Sequence, residues 1–125
     1  MKVKDILKVK GSKVYTINEN STLMAATAKM FSNKIGSLIV VNDKEEIVGI
    51  VAPNDILKAV HEGCVENCSL QRVNQVMTKN LLCASEEDTI DYIQAVMTEN
   101  RIRHIPIMDK TELKGLVSIG DVVNA

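Results

Sequence analysis

Two stretches of this chain repeat one another. Thr22, Ala28, Met30, Asn33 and Ile35 align at one constant spacing with Thr89, Ala95, Met97, Asn100 and Ile102. After a one-residue slip, Glu46, Gly49, Val51 and Asp55 align with Glu112, Gly115, Val117 and Asp121. The segments leading into the copies match as well, Val3, Ile6 and Leu7 facing Val73, Val76 and Met77. Two copies are too few for a solenoid, which needs three or more stacked units. The duplication therefore predicts two half-modules packed face to face, with clefts between them for a ligand.

At 125 residues the chain can bury one core, while a half of about sixty residues is marginal alone and leans on its twin. The apolar share of 46% and charged share of 25% are those of an ordinary soluble domain. A net charge of −1 gives no electrostatic reason to expect nucleic acid. Lysines gather at positions 2, 4, 8, 10 and 13, interleaved with Val3, Ile6, Leu7 and Val9, and read as a solvated helix face. No apolar run reaches the length of a membrane span and no signal peptide opens the chain, so a cytoplasmic protein without membrane attachment is expected. Three cysteines, an odd number, argue against a disulfide framework.

The hydrophobic spacing predicts a short helix over residues 3–8 and an extended piece over 14–17. Asn20 or Ser21 is expected to cap a helix whose apolar stripe is Leu23, Ala26, Met30 and Phe31. Strands over 37–41 and 47–51 flank a polar turn, a hairpin signal. Pro53 suits the first turn of the next helix, because its missing amide hydrogen costs nothing there. The second half repeats the plan: a helix carrying Ile90, Ile93 and Met97, strands over 104–108 and 113–117, and a last helix from Asp121. Each half reads as strand, helix, strand, strand, helix.

With two ordered copies carrying GIVAPNDIL, NRIRHIPIMD and GLVSIGDVV, the sequence resembles a tandem pair of CBS domains over nearly its whole length. The resemblance implies an α/β (α+β) fold of two βαββα repeats packed through their sheets as one pseudo-twofold module. Residues 1–63 would form the first repeat, 64–72 a connector and 73–125 the second. It also implies a regulatory or sensor module that binds AMP, ADP, ATP or S-adenosylmethionine and signals to a partner protein by a conformational population shift. Such modules pair into homodimers, need no cofactor and catalyse nothing themselves. The rival reading is a ligand-free dimerisation or docking module.

Chemistry singles out Asp121. A carboxylate can accept both hydroxyl protons of a ribose cis-diol, and the first turn of a helix favours an anion. Ser118, three residues earlier, offers a hydroxyl to a phosphate or ribose oxygen. Ser118 and Asp121 also satisfy the spacing of a capping box, a pure helix-start device. The first half retains Asp55 but has Ala52 where the serine would stand. Arg103 and His104 can donate to phosphate oxygens, whereas Gly36 and Ser37 are their uncharged equivalents.

In the family arrangement the acid-bearing loop of one half meets the strand start of the other. One cleft would combine Asp55, Arg103 and His104 with backbone near Leu81, Leu82 and Cys83, and suit AMP or a polyphosphate. The other would combine Ser118 and Asp121 with Ile35, Gly36 and Ser37, near Lys13 and Tyr15, and suit a less charged adenosine ligand. His61, Cys64 and Cys68 are too few for a closed zinc site, so no metal is expected. No nucleophile triad, phosphate-binding glycine loop or acid–base carboxylate pair appears, which points away from an enzyme.

Overall fold

A computed structural model describes residues 1–63 and 70–125. In chain order the elements are α1 (Val3–Lys10), β1 (Thr16–Asn18), α2 (Leu23–Asn33), β2 (Leu38–Val41), β3 (Ile47–Val51), α3 (Pro53–His61), a 3-10 turn (Val73–Gln75), α4 (Ile90–Asn100), β4 (His104–Asp109), β5 (Glu112–Ser118) and α5 (Ile119–Val123). They fall into two compact units. One is Tyr15–Asn80; the other joins Met1–Val14 to Leu81–Ala125. Each repeat's leader thus folds with the other repeat's body. None of the described helices is long and apolar enough to cross a membrane.

In the unit Tyr15–Asn80, β2 is central, with β1 parallel on one side and β3 antiparallel on the other. Leu23, Met30, Leu38, Val40, Val51 and Val73 are buried in its core. Helix α2 starts at Thr22, whose hydroxyl accepts the Ala25 amide at 3.1 Å. The sequence pointed to Asn20 or Ser21, but these two stand in the preceding turn, where their amides donate to the Asn18 side chain and carbonyl. Thr89 caps α4 in the same way, from the Tyr92 amide.

Both helices end on a non-glycine residue in the left-handed region, Lys34 and Arg101, with φ of 53° and 55°. The next amide then reaches back, Ile35 to Met30 and Ile102 to Met97, each at 3.0 Å. Such six-to-one closure satisfies a carbonyl orphaned at the helix end. It delivers residues 35–37 and 102–104 to the starts of β2 and β4 by the same route.

In the other unit, β4 and β5 form a two-stranded antiparallel sheet. The strand expected before α4 is reduced to one parallel bridge between Ala84 and Ile107. Ser85 leaves the sheet because its amide turns to the Asp88 carboxylate at 2.7 Å. The Glu86 and Asp88 carbonyls then accept the Lys4 and Val3 amides of α1. Helix α1 buries Val3, Ile6 and Leu7 with Ile93, Ile105 and Val117, while Lys4 is partly exposed and Lys8 exposed.

One contact recurs in both units. Leu7 packs on Gly115 of β5, where an added Cβ would lie 2.8 Å from Leu7 Cδ2. Met77 packs on Gly49 of β3, where a Cβ would meet the Met77 sulfur at 2.6 Å and the Thr78 carbonyl at 2.9 Å. Glycine at each hairpin lets the leader segment lie against the strand.

Candidate functional site

Each unit carries a carboxylate at a helix mouth. In the unit Tyr15–Asn80, Val51 ends β3 and Ala52 adopts an extended conformation as the N-cap of α3, with Pro53 next. Asp55, in the first turn, accepts the Ala52 amide on Oδ2 at 2.8 Å. The carboxylate is half-buried. Burial pushes its pKa up, and that outweighs the opposing Ala52 amide, Thr78 side chain and Lys58 charge. Thr78 reaches this site because it bridges Ile50 through a pair of backbone bonds at 2.9 and 3.0 Å.

In the other unit, Ser118 is the N-cap of α5 and the capping box is complete. The Ser118 amide donates to Asp121 Oδ2 at 2.8 Å, and the Asp121 amide donates to Ser118 Oγ at 3.1 Å. Lys10, in the last turn of α1, donates to the same Oδ2 at 2.6 Å and to the Leu116 carbonyl at 2.7 Å. Burial pushes the Asp121 carboxyl up, but the Lys10 ammonium and the Ser118 amide and hydroxyl bring it below the ordinary range. Two acids in equivalent positions therefore shift in opposite directions. A cation stands beside one and a neutral hydroxyl beside the other.

His104 pairs across the sheet with Ser118, and the Arg103 carbonyl accepts the Ile119 amide at 2.8 Å. Burial, then the Lys10 and Arg103 charges, hold the imidazole below its usual pKa against the pull of Asp121. Arg103 itself is exposed. Thus Arg103, His104, Ser118 and Asp121 belong to one unit, together with Leu81, Leu82, Cys83 and Lys13, while Asp55, Ile35, Gly36, Ser37 and Tyr15 belong to the other.

Ile35 is partly buried, Gly36 exposed and Ser37 buried. The Tyr15 carbonyl accepts the Ile39 amide at 3.1 Å. Leu81 is partly buried, and Leu82 and Cys83 are exposed just before the Ala84 bridge. His61 closes α3, and Cys64 and Cys68 lie outside the described residues. Among the described residues no three His, Cys, Asp or Glu side chains cluster as metal ligands.

Lys10 and Thr78 were not singled out by the sequence. Lys10 looked like one lysine among five on a solvated face. The aligned leaders and the aligned Gly49 and Gly115 were the available signal, since a glycine on a hairpin marks close approach by another segment.

The CBS domain pattern matches this chain over residues 3–62 and again over 73–125. A 17.7 kDa protein of Acidianus ambivalens is 31% identical, with 91% of this chain and 68% of that protein covered. The CBS domain-containing protein CBSX3 of Arabidopsis thaliana is 31% identical, with 98% and 63% covered. Homoserine O-acetyltransferase of Methanococcus vannielii is 32% identical, but the chain spans only 22% of that enzyme.

Among solved structures, a CBS-domain containing protein of Agrobacterium tumefaciens superposes with a TM-score of 0.94 at 33% identity, covering 98% of this chain and 91% of that one. The CBS domain pair of protein MJ0100, in complex with 5'-methylthioadenosine and S-adenosyl-L-methionine, superposes with a TM-score of 0.84 at 26% identity, covering 99% and 94%. A hexameric CBS-CP12 protein from cyanobacteria gives a TM-score of 0.85 at 25% identity, covering 98% and 69%.

Proposed function

This chain belongs to the CBS domain family, and we propose that it is a regulatory module that binds an adenosine-containing ligand and catalyses nothing itself. The observation that carries this reading is the matched pair of helix-mouth carboxylates. Asp55 and Asp121 are each held through Oδ2 by the N-cap amide of their own helix. An aspartate fixed this way has acceptor capacity left for the cis hydroxyls of a ribose. The MJ0100 pair, similar over almost its whole length, carries two adenosine compounds, which supports the same ligand class here: AMP, ADP, ATP or S-adenosylmethionine.

Arg103 and His104 would donate to phosphate, and backbone around residues 35–37 and 81–83 would hold the base. The ligand acts by population shift, and it moves the equilibrium only by its difference in affinity for the two states. The output passes to a protein partner. The acetyltransferase, matched over about a fifth of its length, fits the idea of such a module attached to a catalytic one.

Thermal unfolding with AMP, ADP, ATP, S-adenosylmethionine and adenosine tests the reading. Ligand at a hundredfold excess over its Kd stabilises by about 2.7 kcal/mol, a rise on the order of 10 °C for a chain of this size. Asp55→Ala and Asp121→Ala are each expected to abolish one binding event. Unchanged melts across the whole set would refute ligand binding.

A second reading, self-association, is favoured by one surface. Phe31 is 85% exposed and Leu57 67%, and with Met30, Ile56 and Val60 they line a groove of about 600 Å³ between α2 and α3. Large apolar side chains gathered in one exposed groove favour an interaction face. A second copy of this chain is the proposed occupant, in keeping with the hexameric state of the similar CBS-CP12 protein. The two readings are compatible, since a dimer can carry the ligand-driven shift.

A further inference from the structure

The two helix-mouth sites differ in the cap residue, Ala52 against Ser118, and in what the leader segment brings to the acid. In the unit Tyr15–Asn80, Met77 on Gly49 sets the approach and Thr78 supplies a neutral hydroxyl to Asp55. In the other unit, Leu7 on Gly115 sets the approach and Lys10 supplies an ammonium to Asp121. We propose that Lys10 is a specificity-determining residue that makes the Asp121 site select a phosphate-bearing adenosine ligand, whereas the Asp55 site has no such counter-cation from its leader.

Geometry decides between this role and simple obstruction. An ammonium has three donors, and Lys10 spends two inside the fold, on Leu116 and on Asp121 Oδ2. The third remains for a ligand oxygen. Evicting Lys10 would strand Asp121, whose side chain is only 23% exposed, without its cation, and an unpaired charge at such a site is costly. A ligand therefore gains more by joining the pair than by replacing Lys10.

The ammonium is also held in place before binding. Gly11, with φ of +88°, ends α1 and returns its amide to the Leu7 carbonyl at 2.8 Å, and Val3 and Lys4 tie the other end of the helix to residues 86–88. Fixing the donor in advance removes an ordering cost from binding. The charges of Lys10 and Arg103 both reach His104, the cross-strand partner of Ser118, and positive charge on that side suits an anion.

This inference rests on the ligand reading above, and the experiment keeps the two apart. AMP and adenosine are titrated calorimetrically into the wild type, Lys10→Met and Lys10→Arg, with circular dichroism as the control for folding. A charge-assisted hydrogen bond predicts that Lys10→Met weakens AMP roughly tenfold at one class of sites. Adenosine should be little affected, and Lys10→Arg should preserve most of the preference for AMP. An AMP-to-adenosine affinity ratio that is unchanged or raised in Lys10→Met overturns the role of Lys10 while leaving the ligand reading intact. No heat of binding in the wild type with either compound overturns both. If Lys10→Met fails to fold, the ratio in Lys10→Arg and Lys10→Gln decides: arginine must hold it and glutamine must lose it.

Discussion

Leu7 lies on Gly115 so closely that a single methyl group there would stand 2.8 Å from its Cδ2. The equivalent pair, Met77 on Gly49, is tighter still. These contacts seat the leader segments, and the leaders carry Lys10 and Thr78 to the two acids. A mutation at either glycine therefore acts on the site through packing.

Gly115→Ala is expected to destabilise by about 1–3 kcal/mol, the usual cost of overpacking a tight contact. Gly49→Ala should fall at the upper end, because one obstructing atom is the Thr78 backbone carbonyl, which moves less readily than a leucine methyl. Urea midpoints measure both. If both variants match the wild type, the close approach is not a constraint.

The opposite pKa shifts of the two acids separate their neutral substitutes. A carboxyl raised in the native state, as in Asp55, adds stability only below its unfolded value and loses it as pH rises through the raised native value. Asp55→Asn at pH 7 keeps an acceptor for the Ala52 amide and removes a half-buried charge. Its stability should equal or slightly exceed the wild type. Asp121 is lowered and pairs with Lys10, so Asp121→Asn should cost about 1–2 kcal/mol. Equal effects of the two substitutions would contradict the assignment.

His104 supplies a pH dependence. Its native pKa is depressed, so in the unfolded chain it binds a proton from about pH 6.5 downward, before the folded protein does. The stability linked to the neutral imidazole is complete above that value and is lost as pH falls through the depressed native pKa. Denaturation between pH 7.5 and 5 should show a steeper loss for the wild type than for His104→Gln. Parallel curves would exclude His104 as the source.

Phe31→Ser and Leu57→Ser place polar groups in the α2–α3 groove without touching either acid. Light scattering should report a smaller assembly for each variant at a concentration where the wild type associates. Adenosine-ligand melts should still shift. Unchanged mass for both variants would assign the groove another role.

The placement of both acids at helix starts was legible beforehand. Asp55 and Asp121 stood out because a carboxylate in a helix's first turn has a definite chemistry, and both sit there. The cap of α2 was off by one or two residues, since short polar side chains in a row compete for the same orphan amides and only the turn geometry chooses among them. The strand before α4 read like its twin, yet it shrank to Ala84. The next amide, that of Ser85, donates to the Asp88 carboxylate instead of continuing the ladder with β4.

The sequence alone determined the duplication, which is read by laying one half on the other, and most helices and strands and the two acids, because these depend on residue type and local spacing. Tertiary structure decided which leader folds with which body, and hence that Asp121 meets an ammonium and Asp55 a hydroxyl. The alignment of the leaders is the same under either partnering. Burial and charge are properties of neighbours brought together by folding, and Lys10 and Asp121 are 111 residues apart in the chain.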